Sequence, residues 1–264
     1  MTAIVVRGTR KVSVRGVSRI GLVILSLLLG LALWQLCATA YGPLLFASPE
    51  ETALAAAELA SNGTLQQAAL VSLSRIGIGW ALGLVVGAPV GILMGRIKIL
   101  RLMLDPFIEF FRFIPPIAFV TLAIVWFGIG ETSKVVLIFY TGVFIVTLNT
   151  IAGVASIPDS RLRAAESLGA TRWQVLTRIV LPSTVPHLVT GARLSLANCF
   201  LTIVSAEIVS ADTGLGALLW QARNFGQISS IFVGIVALGI LGFLCDRVIR
   251  LLSTALLSRF GLRF

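Results

Sequence analysis

Four charged side chains stand within or beside long apolar stretches of this sequence: Arg75, Arg112, Arg193 and Glu207. A central Arg or Asp in hydrocarbon costs about 2.5–3.5 kcal/mol on insertion scales, so such a residue faces a partner or a polar cavity. Each is open to three readings: a structural ion pair, a snorkelling side chain, or a charge that lines an aqueous path. Other chemistry finds little support. His187 is the only histidine, so no imidazole pair can hold a metal. His-Glu-x-x-His and a serine nucleophile paired with histidine are both absent. Cys37, Cys199 and Cys245 lie far apart without metal-ligand spacing and read as small packing residues. His187, following Pro186, reads as interfacial packing. There is no Gly-x-x-x-x-Gly-Lys-Ser/Thr phosphate loop, and no cofactor is expected.

The elements that must position these charges are membrane helices. Of 264 residues, 57% are hydrophobic and only 12% charged, against roughly 25% in soluble domains; the mean hydropathy is +1.00. Spans are expected at 20–41, 72–95, 108–129, 135–156, 187–209 and 229–250, each near the ~20 residues a spanning helix needs. The fold class is therefore all-α, a polytopic membrane protein of six transmembrane helices, with one membrane domain over 20–252. Barrel strands would alternate with period two, which these runs do not.

A net charge of +10 would suit a nucleic-acid binder, but its distribution argues for lipid and against nucleic acid. Arg7, Arg10, Lys11, Arg15 and Arg19 precede the first span. Arg96, Lys98 and Arg101 follow the second, Arg161, Arg163, Arg172 and Arg178 the fourth, and Arg247, Arg250, Arg259 and Arg263 finish or follow the sixth. The alternate connections carry Glu50, Glu51, Glu58, Glu131 and Asp212 against only Lys134 and Arg223. This is the positive-inside pattern. It puts the segment 1–19, the tail 253–264 and both termini in the cytoplasm, with Arg75 and Glu207 toward the external half and Arg112 and Arg193 toward the internal half. The first span, with Ala38-Thr39-Ala40 behind it, imitates a secretory signal. Its apolar run exceeds the 7–15 residues of a signal core, and a retained helix is expected.

Local signals add detail. Ser48-Pro49-Glu50-Glu51 is a capping box with Pro at the first helical position, so a short external helix should run to about Ala60 and end at Asn62-Gly63. Thr64-Leu65-Gln66-Gln67 repeats the pattern ahead of the second span. That span carries Gly79, Gly83, Gly87, Gly91 and Gly95, which allow close backbone approach between helices. A four-residue repeat drifts about 40° per step, so the stripe is expected to meet more than one neighbour. Pro89 at its middle leaves a bending gate as the alternative.

Between the fourth and fifth spans, 158–182 read as helix, turn, helix. Asp159 or Ser160 can cap the first helix, and Gly169 can end it in the left-handed conformation. Thr171 with Gln174 forms a capping box for the second helix, and Pro182 is expected to close it. A compact basic elbow thus projects into the cytoplasm.

This elbow resembles the cytoplasmic loop of type I ABC importer permeases: Glu-Ala-Ala, three residues, Gly, nine residues, Ile-x-Leu-Pro. Ala164, Ala165, Gly169, Ile179, Leu181 and Pro182 match at that spacing; Arg163 stands where the family has Glu, and Glu166 lies one turn later. Asp105-Pro106, Arg112-Phe113-Ile114-Pro115-Pro116, Trp126-Phe127-Gly128-Ile129-Gly130-Glu131 with Lys134, Asn149-Thr150, Ala206-Glu207 and Gly214-Leu215-Gly216 are similar to the nitrate, sulfonate and taurine branch. The resemblance implies a coupling-helix elbow made by Arg163, Ala164, Ala165, Glu166, Ser167, Leu168, Gly169, Ala170 and Thr171. It implies a permease homodimer in the bacterial inner membrane, on two cytoplasmic ABC ATPase subunits and fed by an external solute-binding protein. The solute would be a small anion such as nitrate, a sulfonate or bicarbonate, with Arg75, Arg112, Arg193 and Glu207 on its path. A secondary transporter or channel is the rival class. Many such proteins show internal repeats, which are not found here, and they need no basic elbow.

The charge pattern makes a topological prediction. Single cysteines at Gly63 and at Thr171 should react with an impermeant thiol reagent from opposite faces of the membrane. Reaction of both from the same face would overturn the map.

Overall fold

A computed structural model of the protein describes residues 19–210 and 212–259. The expected N-terminal segment, apart from Arg19, and the end of the expected tail lie outside them. Among the described residues every regular element is helical: α1 (Arg19–Tyr41), α2 (Pro49–Ser61), α3 (Thr64–Arg96), α4 (Lys98–Phe111), α5 (Val120–Phe127), α6 (Glu131–Ala155), α7 (Asp159–Ser167), α8 (Arg172–Val175), α9 (Leu181–Ser210), α10 (Leu215–Asn224) and α11 (Ile228–Arg259). Five helices are long and apolar enough to cross a membrane, and a bent pair makes a sixth if counted as one span.

That pair corrects the third expected span. The 108–129 stretch is not one helix: α4 ends at Phe111 and a turn of 3-10 helix, Pro116–Phe119, leads into α5. The two parts are bent by 89°. Pro115 and Pro116 supply the physical reason, because neither can donate the backbone bond that would continue α4. The polar connection expected before it is also shorter than expected, since α4 begins at Lys98 and only Ile97 separates it from α3.

The core forms where α3, α6 and α9 meet, around Ile76, Ile138, Leu196, Cys199 and Ile203. Cys199 has no exposed surface and acts there as a packing residue. The glycine stripe sets the spacing. A methyl group on Gly79 would stand 2.6 Å from Ile138 Cβ, one on Gly83 3.2 Å from the Gly142 carbonyl carbon, and one on Gly87 2.8 Å from Val143 O. At Gly91 and Gly95 the nearest atoms are Thr150 Cβ and Val154 Cβ, each at 2.6 Å. All five glycines therefore face α6, not several neighbours. A stripe whose period exceeds 3.6 stays on one partner when two helices wind about each other in the right-handed sense, the crossing that small-residue stripes favour in membranes.

Capping agrees with the sequence at some points and not at others. Ser48 and Glu51 form the expected capping box on α2. At α3 the N-cap is Gly63, at φ +79°, with no side-chain cap. Asn62 Oδ1 accepts from Thr64 N instead, at 3.0 Å, because Gly63 in the left-handed region leaves the amide of Thr64 aimed back at Asn62. Two helices run on past their expected ends. α11 continues to Arg259. Pro182 does not close the second elbow helix: the backbone widens into π-type bonding over Leu176–Val180 and passes into α9. The i→i+5 bond from Leu181 N to Leu176 O shifts the ladder just before the residue that lacks an N–H.

The stripe predicts an asymmetry between glycines of one helix. Gly91→Ala should lower stability by about 1–3 kcal/mol through overpacking. Gly77→Ala, where an added Cβ meets nothing within 4 Å, should be neutral. Thermal unfolding of the two variants in the same detergent measures the difference, and equal midpoints would refute the close α3–α6 contact.

Candidate functional site

Arg75 precedes Gly79 by one helical turn, so the stripe that brings α3 onto α6 also carries this guanidinium to the start of α6. There Arg75 Nε and Nη2 bind Glu131 Oε2 and Oε1 at 2.5 and 2.6 Å, a bidentate pair. Nη1 reaches Glu207 Oε1 on α9 at 2.7 Å and Thr213 O at 2.6 Å. Lys134 Nζ adds a second cation 3.2 Å from Glu131 Oε1. The Arg75 and Glu207 side chains are 3% and 0% exposed, whereas Glu131 is 63% exposed, so the four-charge cluster is closed on the bundle side and open at Glu131. Two cations face two carboxylates, and no buried side-chain nitrogen or oxygen among the described residues lacks a partner.

Glu207 sits in a cradle built by the turn between α9 and α10. Gly216 N donates to its Oε2 at 2.8 Å, and Ser72 Oγ lies 2.8 Å from its Oε1 while accepting from Leu215 N at 2.8 Å. A methyl group on Gly214, at φ +122°, would collide with the carboxylate, and one on Gly216 would stand 2.7 Å from Glu207 Cβ. The Gly214-Leu215-Gly216 motif is thus the wall of the Glu207 site. α10, which sequence reasoning missed, begins there; Gly214 was its only signal.

The other two candidates stand apart. Arg193 on α9 makes a bidentate pair with Asp246 on α11, at 2.8 and 3.0 Å. Asp246 was also missed; it stands beside Cys245 within the last apolar run. Arg112 caps α4 at the break, its guanidinium 4.4 Å from the ring centre of Phe113. The structure brings Arg75 and Glu207 together and leaves Arg112 and Arg193 separate.

The elbow is built from exposed and anchored residues in alternation. Gly169 N donates to Glu166 O at 2.9 Å and Ala170 N to Ala165 O at 3.0 Å, the paired bonds of a Schellman ending. Gly169 has φ +77° and an added Cβ would meet nothing, so backbone conformation, not space, calls for glycine. Ala165 and Ala170 pack on Val154, Ile157, Val175 and Val180, which ties the turn to the foot of α6. The first helix is preceded by Pro158 with no side-chain cap, while Thr171 and Gln174 form the expected capping box. Arg163, Ala164, Glu166, Ser167 and Thr171 are exposed, and Leu168 and Trp173 present apolar surface outward at 88% and 69% exposure.

Removing one member of the Arg75 cluster should be worse than removing both poles. Glu207→Ala leaves a buried guanidinium without its enclosed partner and should cost about 3–5 kcal/mol, whereas Arg75→Met with Glu207→Leu should cost less. Retention of the folded peak in size-exclusion chromatography after heating ranks the variants. A double variant worse than either single would refute the paired-charge reading.

Comparison with known proteins places the fold. Residues 87–258 match the family model described as binding-protein-dependent transport system inner membrane component. A probable ABC transporter permease of Brucella melitensis is 36% identical over 231 residues, 88% of this chain and 94% of that protein. The taurine transport system permease of Escherichia coli K12 is 40% identical over 195 residues, 74% and 71% of the two chains. A chain of the MetNI methionine ABC transporter, inward facing, superposes with a TM-score of 0.64 at 22% identity, covering 75% of this chain and 96% of that one. The chain is a multi-pass membrane permease and belongs to the binding-protein-dependent transport system inner membrane component family.

Proposed function

We propose that this chain is the translocating subunit of an ATP-driven importer for a small anion, assembled as two permeases on two cytoplasmic ATPases and fed by an external solute-binding protein. The single observation that carries the reading is the elbow. A solvated loop has no reason to combine a Schellman ending, a capping box and two outward apolar side chains, Leu168 and Trp173. A knob meant to seat in a partner's cleft needs that combination, because a rigid element loses little entropy on docking. ATP hydrolysis falls to another chain, since no phosphate loop occurs in the sequence.

The elbow's second arm runs without interruption into the bundle. Arg172 to Val209 is one 38-residue helical run, about 57 Å long at helical rise, and it carries Arg193 and Glu207. Movement of the elbow by closure of the ATPases is therefore passed to the residues around the path, which supports alternating access as a two-state equilibrium biased by ligands. Arg163–Thr171 serve that coupling in this reading. Arg75 and Glu207 lock α3, α6, α9 and α10 together, Arg193 pins α9 to α11, and Arg112 is the charge left to the path. The positive-inside pattern supports cytoplasmic termini, and membership of the family supports a location in the bacterial inner membrane. The taurine permease relative and the arginine excess favour an anion such as a sulfonate, nitrate or bicarbonate.

Gly169→Val tests the elbow. A β-branched residue at φ +77° costs about 1–2 kcal/mol, so affinity for the ATPase should fall about tenfold, with insertion and span packing intact. Gly63→Val imposes the same strain at φ +79° on the opposite face and should leave ATPase binding unchanged. Normal transport and unchanged ATPase affinity in Gly169→Val would defeat this mechanism.

A further inference from the structure

Backbone without helical bonding persists at membrane depth only where protein buries it or a water-filled cavity receives it. At the 112–115 break the amides of Arg112, Phe113 and Ile114 bond back to Ile108 O, Phe110 O and Phe111 O, and the helix turns aside next to a cavity. The depth of the break is fixed by Tyr140, whose Oη donates to Phe111 O at 2.5 Å and lies 3.4 Å from Ile114 O. Tyr140 lies nine residues into the 25-residue helix α6, about 14 Å from its start at helical rise. Beside the break lies a cavity of about 290 Å³, to which Arg112, Tyr140, Thr141, Phe144 and Asn198 contribute. At ~30 Å³ per water, it has room for a small polyatomic anion together with several waters.

The charges around this cavity are unbalanced, in contrast with those at Arg75 and Arg193. Arg75 and Arg193 each hold a carboxylate, whereas Arg112 makes no ion pair among the described residues. The only acidic residue one turn away, Glu109, does not line the cavity, and no other carboxylate does. Asn198 Nδ2 donates one hydrogen to Leu194 O at 2.9 Å, which leaves the second amide hydrogen for a ligand. A planar guanidinium with several donors suits an oxyanion better than a point charge would, and a cation at this depth calls for a partner or a water-filled cavity.

We propose that the broken helix forms an anion station in the transport path, in which Arg112 and Asn198 receive a small oxyanion in transit. This rests on the importer reading and adds to it a site within the permease itself. The stacked Phe113 ring steadies the guanidinium. The cavity stays open, so the station binds weakly enough to release.

Two measurements test it. In proteoliposomes holding the complete importer, nitrate, taurine and bicarbonate are offered as probes. Uptake of whichever is carried should fall at least tenfold in Arg112→Gln and recover in part in Arg112→Lys. Arg101→Gln, which alters an exposed arginine paired with Asp105 outside the cavity, should transport normally. Separately, Asn198→Cys should react at least tenfold faster with an anionic than with a cationic methanethiosulfonate, and Arg112→Gln should erase that preference; a purely structural Arg112 would not set it. Undiminished uptake in Arg112→Gln overturns the proposal. So does a cysteine at Asn198 that neither reagent reaches, or one whose charge preference ignores Arg112. If the wild-type complex moves none of the three probes, the proposed solute class fails, and the charge preference at Asn198→Cys still judges the station on its own.

Discussion

The backbone-to-backbone approach of α3 and α6 is the contact on which the other features depend. Five glycines on one stripe let α6 backbone and the Cβ atoms of Ile138, Thr150 and Val154 seat directly on the α3 backbone, and in lipid such packing replaces the hydrophobic drive that water supplies elsewhere. Helix propensity argues against this choice by about 1 kcal/mol per glycine in water, so the stripe reflects shape and not helix formation. It also fixes register. One turn beyond Gly79, Arg75 arrives at the first turn of α6 and finds Glu131; Thr147 Oγ1, further along, donates to Gly87 O at 3.2 Å.

With α3 and α6 locked, the third element of the core can be placed by charge. α9 packs on α3 and α6 through Leu196, Cys199 and Ile203 and presents Glu207 to Arg75 at its far end. Paired buried charges give little net stability against an apolar substitute, but an unpaired one is costly, so the cluster acts chiefly to exclude other registers. The Gly214–Gly216 turn closes over Glu207 and starts α10. Three stretches far apart in the chain, α3, the start of α6 and the α9–α10 junction, thus meet at one guanidinium. Arg112 has no such convergence around it. It stands at a break that two prolines make inevitable, beside open space.

The elbow depends on the same frame. Ala165 and Ala170 pack at the foot of α6, and the π-type stretch allows Pro182 to stay inside a continuous helix instead of ending it. A stiff run therefore joins the elbow to Glu207. Had Pro182 broken the helix, displacement of the knob would have been absorbed locally.

Much was legible in the sequence because its cause is local in the chain. Hydropathy, the Ser48 and Thr171 capping boxes and the positive φ of Gly169 each follow from a short stretch of consecutive residues. The elbow was readable for that reason, and so was the helical membrane class. What tertiary structure alone decided is non-local. That five glycines share one partner depends on how two helices wind, not on their period alone. That Arg75 meets both Glu131 and Glu207, and Arg193 meets Asp246, depends on three-dimensional register between spans. A proline's effect depends on what surrounds it: Pro115-Pro116 breaks a span and Pro182 does not. An isolated sequence states that a charge in a membrane needs a partner, but only packing chooses the partner, or leaves the charge, as at Arg112, without a carboxylate among the described residues.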